Sequence, residues 1–268
     1  MNLLIHSMSE FSDIILQTLA LAEARSITEI GAEFGGMSST LASYADMHKG
    51  RLVTIDPSPK QEFLDWMARN PQIEHIAQTS LEAIGSVRNT DAWLVDGDHN
   101  WYTVYEEIKL IHEACERDEK PPLIFFHDVC WPCGRRDTYY APDRIPAQFR
   151  QSYTYDGGVF PGRRETFFGR GFRGMGQFAM AKQEGGPRNG VKTAIEDFIS
   201  DVNAQGRELA YAEVPGVFGL GVLFSMDAPW SDSVANFLLP YHNNQLIAKL
   251  EENRLANYLR VIEIQDAR

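Results

Sequence analysis

Cysteine is scarce in this sequence. Three residues, Cys115, Cys130 and Cys133, in a chain of 268 are too few for the disulfide framework of a small secreted domain, so a reducing cytoplasm is the expected setting. Long apolar runs are missing as well. The opening residues "MNLLIHSMSEFSD" have no basic lead and meet Glu10 and Asp13 before any extended apolar stretch, which speaks against a signal peptide or a membrane span there. Blocks of five or six like charges are absent and the formal net charge is -12; nucleic acid is not an expected partner. Nor is there an internal repeat. What remains is an ordinary globular balance, 44% hydrophobic and 23% charged, long enough to bury a substantial core.

Apolar residues Phe11, Ile15, Leu19 and Ala22 recur at helical spacing over residues 9–24 and lead into a short β-rich run, "SITEIG". Similar runs follow as "RLVTID" (51–56), "IEHIA" (73–77), "AWLVDGD" (92–98) and "PLIFFHD" (122–128), separated by segments long enough for helices. This alternation predicts a parallel sheet with helices on both faces. Several runs end in an acid, and ligands of open α/β sheets sit beyond the carboxyl ends of strands. Glu29, Asp56, Asp96 and Asp128 would share that rim.

From residue 134 to 190 the texture changes. This piece holds 11 of the 21 glycines, with nine arginines and one lysine against three aspartates and two glutamates. It reads as a long insert over the ligand edge. Next, Val191, Ala194, Ile195, Phe198, Ile199 and Val202 mark an amphipathic helix, "ELAYAEVPGVFGLGVLFS" (208–225) a hairpin, and Leu246, Leu250, Leu255 and Leu259 a helix near 244–262. The whole chain, 1–268, reads as one domain.

The turn "TEIGAEFGGMSS" places Gly31, Gly35 and Gly36 directly after the first strand, where backbone N–H groups can approach a ligand closely. Its spacing is G-x-x-x-G-G rather than G-x-G-x-x-G, and Glu29 ends the strand. That suits an uncharged or cationic ligand better than a pyrophosphate. Asp56 lies 27 residues beyond Glu29, at a strand end where an acid can accept from both hydroxyls of a ribose. A plainer reading has these acids cap the helices that follow.

Taken together, "EIGAEFGG", "VTIDPS", "WLVDGDHNWYTVYEEI" and "LIFFHDV" resemble the successive motifs of class I S-adenosylmethionine-dependent methyltransferases, most of all the small-molecule O-methyltransferases of the catechol and macrolide-sugar kind, many of which need Mg²⁺. The resemblance spans roughly residues 20–130. It implies a Rossmann-like, seven-stranded, mostly parallel sheet with the last strand antiparallel. It also implies that Glu29, Gly31, Gly35 and Ser38 line the donor's methionine and sugar portion, that Asp56 holds the ribose, that Ser80 flanks the adenine, and that Asp96 borders the donor. Asp96, His127 and Asp128 match the metal-ligand positions of the metal-dependent relatives. Mg²⁺ prefers oxygen ligands, whereas an imidazole suits Mn²⁺, Fe²⁺ or Zn²⁺ better. In a metal-free scheme His99 or His127 is the general base, with Asp96 beside them.

Within the insert, Arg135, Arg136 and Arg188 lie nearest the motifs and are candidates to grip an anionic group on a small-molecule acceptor. Most of the remaining arginines would be solvated or pair with Asp137, Asp143 or Glu165. Tyr139, Tyr140, Phe160, Phe167 and Phe168 could form an apolar lid. In "DGDHNWY", Asp98 or Asn100 can cap the following helix with His99 merely packed. Cys130-x-x-Cys133 beside His127 also permits a zinc site. Methyl transfer to a hydroxyl is the leading expectation. A metal-independent N-methyltransferase, a nicotinamide-dependent oxidoreductase and a donor-binding protein without catalysis stay open, and the apolar stripes of the first and last helices leave room for a homo-oligomer.

Overall fold

The structure is a computed structural model and describes residues 7–266. After a 3-10 turn at Met8–Phe11 and helix α1 (Ser12–Leu21), the chain alternates through β1 (Ser26–Ile30), α2 (Gly36–Met47), β2 (Arg51–Ile55), α3 (Gln61–Met67), β3 (Glu74–Ile76), α4 (Ser80–Ala83), β4 (Ala92–Val95), α5 (Trp101–Arg117) and β5 (Leu123–His127). A turn-rich stretch then carries five short strands, β6 (Thr138–Tyr139), β7 (Tyr153–Thr154), β8 (Gly157–Gly158), β9 (Phe167–Phe168) and β10 (Ala179–Ala181). Helix α6 (Val191–Asn203), the hairpin β11 (Leu209–Val214) and β12 (Leu220–Ser225), α7 (Ser231–Leu238) and α8 (Gln245–Asp266) complete it.

Seven strands form one sheet in the order β11-β12-β5-β4-β1-β2-β3. Neighbours among the first five strands pair in parallel, and β12 runs antiparallel to both β5 and β11. The parallel part of this α/β sheet is what the recurring apolar runs imply, and the reversed last strand is what the family resemblance implies. Central strands read as continuous apolar runs because both faces are covered: all five residues of β5 are buried. On one face Trp93, Val95, Ile124 and Phe126 pack under Val104, Ile108 and Ile111 of α5 and Ala194, Ile195 and Phe198 of α6. On the other, Leu94, Phe125 and Val222 meet Ile15, Leu19, Leu41, Val234 and Leu238 from α1, α2 and α7. Each large side chain buried this way contributes about 1.5–3 kcal/mol.

Register places the site. Ile30 lies opposite Ile55 on one side and Val95 on the other, and Val95 lies opposite Phe126. The carboxyl ends of β1, β2, β4 and β5 are therefore level to within a residue, and Glu29, Asp56, Asp96 and Asp128 share one rim. The 134–190 segment folds against it as a three-stranded sheet, β6-β10-β7, and a two-stranded one, β8-β9. Val159, Phe172 and Met180 from this segment share a small core with Val217 and Phe218 of the β11–β12 turn and Leu255 and Leu259 of α8. Arg173 adds a fork to Asp266 at 2.8 and 2.6 Å.

Two expectations change. The last helix reaches Asp266, and of its four periodic leucines only Leu255 and Leu259 are buried, while Leu246 and Leu250 are 69% and 60% exposed. Helix α7 has no counterpart in the sequence reading, although Val234 and Leu238 stand four apart and are both buried. Among the described residues no helix is long and apolar enough to cross a membrane.

Candidate functional site

The end of β1 is built on a close approach. Gly31 has φ +89°, and a Cβ there would stand 2.0 Å from the carbonyl oxygen of Asp96, so only glycine lets the two strand ends meet. Gly35, also left-handed at φ +81°, is the N-cap of α2. Between them the loop is pinned by Asp56, whose Oδ2 accepts the N–H groups of Ala32 (3.1 Å) and Glu33 (3.0 Å) while Oδ1 accepts that of Ser58 (2.7 Å). A carboxylate oxygen can accept about two hydrogen bonds, which leaves capacity on Oδ1.

Glu29 is 2% exposed and accepts a hydrogen bond from the Ser38 hydroxyl at 2.5 Å. Burial raises its pKa to about 8, against the lowering effect of Ser38, and the charges of Asp96 and Asp56 raise it further. A carboxyl in this position is uncharged at neutral pH unless a cation comes beside it. Ser80 is buried at the start of α4, where Thr79 and Glu82 form a capping box. Beside Ser80 lies Glu107 of α5, fully buried, with its pKa pushed up to about 8 chiefly by burial. The sequence reading missed Glu107, though a signal existed: it stands three residues after Val104 and four before Ile111, on the apolar face.

Across from Gly31, four side chains converge. His127 Nδ1 is 3.1 Å from Asp96 Oδ1 and 3.1 Å from Asp128 Oδ2. His99 Nε2 is 3.4 Å from that same oxygen of Asp96 and 3.1 Å from that same oxygen of Asp128. Asp128 adopts φ +60° just past the end of β5, and its carboxylate lies beside both imidazoles. For each imidazole, burial alone pulls the pKa down, but the carboxylates outweigh it and hold His99 at about 9 and His127 at about 10. Burial pushes both aspartates up, and the two histidines more than reverse this, leaving both below the usual range. Asp96, His127 and Asp128 together could hold a metal ion, as could His99, Asp128 and Cys133.

The competing readings of "DGDHNWY" divide between residues. Asn100 is the N-cap of α5, accepting from the Thr103 N–H at 2.9 Å, and Asp98 accepts from Asn100 Nδ2 at 2.7 Å. His99, between them, faces the cluster. Its backbone carbonyl accepts the Thr138 N–H at 2.9 Å, which ties it to the insert. Cys130 approaches Glu213 (3.9 Å) while Cys133 approaches Thr138 (3.8 Å), so the structure does not bring His127, Cys130 and Cys133 together as one ligand set.

The arginines lie elsewhere. Arg136 is 0% exposed and donates to the carbonyls of Ala181 (2.6 Å), Arg164 (2.8 Å) and Arg163 (3.3 Å), a strut inside the insert. Arg135 forks onto Glu196 at 2.5 and 2.6 Å. Arg188 is exposed, its guanidinium 5.3 Å from the Trp101 ring and 5.2 Å from that of Phe149. None of the three is a partner of the Asp–His cluster. Asp137 likewise pairs with no arginine among the described residues: it is fully buried and accepts from the N–H groups of Trp101 and Gly190 and the hydroxyl of Tyr139, each at 2.7 Å. Of the aromatic residues expected to form a lid, Tyr140 reaches the cluster, its ring 6.0 Å from that of His99. From Tyr140 a chain of ring contacts runs through Phe178, Phe172 and Phe218 back to His127.

No protein-family model matches the chain, and no curated protein matches it in sequence. Solved structures do match it in shape. An SAH-bound methyltransferase from Podospora anserina aligns over 83% of this chain and 81% of its own, with 14% identity and a TM-score of 0.50. An O-methyltransferase from Bacillus cereus in complex with SAH aligns over 82% of this chain and 81% of its own, with 14% identity and a TM-score of 0.49. The chain has the seven-stranded Rossmann-like fold of class I methyltransferases.

Proposed function

We propose that this chain is an S-adenosylmethionine-dependent methyltransferase acting on a hydroxyl of a small molecule, with a divalent metal held by Asp96, His127 and Asp128. The observation that carries the reading is the adjacency on one rim of two unlike sites. One is a glycine-rich turn with a buried, uncharged acid; the other is a compact cluster of carboxylates and imidazoles. Gly31 packs directly on the Asp96 backbone, so a donor seated on the first has its reacting end beside the second.

In this reading the donor's α-ammonium sits by Glu29, restoring the charge that burial suppresses, and Ser38 fixes the rotamer of that carboxyl. Asp56 offers its remaining acceptor capacity to the ribose, and Ser80 lies on the adenine side. Methyl transfer breaks the carbon–sulfur bond, with the electron pair going to sulfur, as the acceptor oxygen forms the new bond to carbon and gives up its proton. The acceptor is positioned over the donor between Tyr140 and the aromatic rings behind it, which exclude water from the reacting atoms. A bound divalent cation lowers the pKa of a hydroxyl and stabilises the oxyanion. The donor set fits such an ion: neighbouring donors around one ion at about 2.0–2.2 Å lie about 2.9–3.5 Å apart, and the atoms here are 3.1 Å from their neighbours. In the metal-free alternative His99 or His127 is the general base; the carboxylates favour the protonated form of both imidazoles, so either scheme requires one of them to release its proton first.

Thermal shift with S-adenosylmethionine, SAH and NADH tests the donor assignment. Ligand at about 100 times its Kd stabilises the folded state by about 2.7 kcal/mol, a rise of several degrees for SAH and none for NADH. The reverse pattern would sink the reading. Chelation followed by readdition of single divalent ions, with methyl transfer to polyhydroxylated acceptors as readout, tests the metal, and full activity in chelator removes it.

A further inference from the structure

Resting on the donor reading above, we infer that Glu33 senses the charge of the donor's sulfonium: its carboxylate favours S-adenosylmethionine over SAH, so that the chain holds the donor and releases the product. The backbone of Glu33 is fixed on both sides. Its N–H donates to Asp56 Oδ2 at 3.0 Å, and its carbonyl accepts the N–H of Lys60, the N-cap of α3, at 2.9 Å. Two residues earlier, Gly31 packs on the Asp96 carbonyl. Residue 33 therefore stands between the acid assigned to the ribose and the Asp–His cluster beside the acceptor. In the donor, sulfur joins the methionine portion to the ribose and carries the methyl group. A donor lying from Glu29 to Asp56 brings its sulfonium into that same interval.

Glu33 itself is strained and unpaired. It has φ +42°, a left-handed conformation that a residue with a Cβ adopts at a cost, in a turn whose positions 31, 35 and 36 are glycine. Its side chain is exposed and has no hydrogen-bond or ion-pair partner among the described residues. Lys60, tied to its carbonyl, turns its ammonium over the Phe34 ring instead, 5.8 Å from the centroid. Partial burial raises the pKa of the Glu33 carboxyl, and the charges of Asp96 and Asp56 add to the rise, against the lowering effects of Lys60 and His99. An acid fixed in a costly conformation among other acids, and left unpaired by the lysine beside it, is placed for a cation that arrives with a ligand. A glutamate that only meets solvent needs no such conformation.

Methyl transfer removes that cation. The electron pair of the carbon–sulfur bond returns to sulfur as the methyl group passes to the acceptor oxygen, whose proton leaves, and sulfur ends as a neutral thioether. Glu33 attracts the sulfonium before the step and has no charge to attract after it. It does not speed the chemistry, because the positive charge on sulfur is already falling in the transition state; its effect lies in donor capture and product release. The α-ammonium is common to donor and product, so an acid that holds it, as Glu29 does in this reading, gives no such discrimination.

At about pH 8, above the usual carboxyl range, calorimetry compares S-adenosylmethionine, SAH and sinefungin on wild type and Glu33→Gln; in sinefungin a protonated amine stands in place of the sulfonium methyl. Opposite charges about 4 Å apart are worth about 5-fold in affinity even in bulk water, so Glu33→Gln should weaken S-adenosylmethionine and sinefungin by at least about 5-fold and leave SAH within about 2-fold. The wild-type preference for the charged ligands should shrink at about 1 M salt, where the Debye length is about 3 Å, and that of the variant should not. Should the glutamine variant not fold, Glu33→Asp and Glu33→Asn replace it, since both residue types tolerate a left-handed backbone: aspartate should keep the preference and asparagine should lose it. An equal loss for all three ligands would mean that residue 33 only shapes the turn, and unchanged affinities would mean that its carboxylate meets only solvent; either result overturns the assignment and leaves the methyltransferase reading standing. Wild type that binds neither S-adenosylmethionine nor SAH strikes the donor reading, and the role of Glu33 with it.

Discussion

Glu29→Gln separates burial from ligand recognition in one titration. The Glu29 carboxyl has its pKa raised from 4.5 to about 8 in the folded state. Between these values the folded protein keeps a proton that the unfolded chain has released, so stability falls as pH rises. The slope is about 1.4 kcal/mol per pH unit, which amounts to about 3 kcal/mol between about pH 5 and pH 7.5. At about 2–4 °C of Tm per kcal/mol for a chain of this size, that is a fall of about 6–12 °C. Glutamine keeps the shape and the acceptor for Ser38 without the titration. The variant should match the wild type near pH 5 and exceed it increasingly towards pH 8, read as Tm or denaturant midpoint across the series. Saturating SAH adds the decisive comparison. If the donor's ammonium sits against Glu29, it favours the ionised form, and the wild-type slope should approach that of the glutamine variant. Glu107, equally buried and raised to about 8, is the internal reference, since its share of the slope should survive SAH. Parallel curves for wild type and Glu29→Gln would refute the burial argument; a slope indifferent to SAH would refute the placement of the ammonium.

Gly31→Ala should cost at least about 2–4 kcal/mol, combining a left-handed backbone with a clash against the Asp96 carbonyl, and calorimetry should find both SAH and Mn²⁺ binding impaired because the two sites share that contact. Arg136→Met removes donors from the carbonyls of Ala181, Arg163 and Arg164 and should destabilise by about 3–5 kcal/mol in chemical denaturation. Arg135→Ala, which breaks a partly exposed fork to Glu196, should cost less than about 1 kcal/mol by the same assay.

The sheet and its rim were legible because each depends on local pattern. A doubly covered strand must be apolar, and β5 is from Leu123 to Phe126; polar groups at its end have nowhere to go but the rim, as with Asp96 and Asp128. The glycine turn was equally readable, since Gly31 and Gly35 answer a backbone demand that few other residues meet. What could not be read is which distant group completes each polar side chain. Arg136 looks like a substrate fork in one dimension and is a strut in three, because its hydrogen-bond partners are carbonyls 27 to 45 residues away and its carboxylate neighbour is Glu184, inside the insert. His99 carried two readings, packed or functional, and only the meeting of β4 with β5 decides which oxygens it faces. Helix α7 was missed for a plainer reason: it is only eight residues long, too short for periodicity to stand out.

Asp137 shows how the insert and the site depend on one another. Its carboxylate takes the first N–H of α5, the N–H of Gly190 at the N-cap of α6, and the Tyr139 hydroxyl. It therefore lies against the positive ends of two helices at once, while burial outweighs these bonds and raises its pKa to about 6. The residue after it, Thr138, holds the His99 carbonyl, and two further on Tyr140 packs on the His99 ring. The same short strand thus anchors the insert and fixes His99. Asp137→Ala would leave three buried donors unmatched, at about 1–3 kcal/mol each, and should loosen His99 as well. Its expected signature is a loss of stability accompanied by weakened Co²⁺ binding, with SAH affinity retained at temperatures where the variant remains folded. Co²⁺ affinity unchanged in a destabilised but folded variant would mean that β4 and β5 position the cluster without help from the insert.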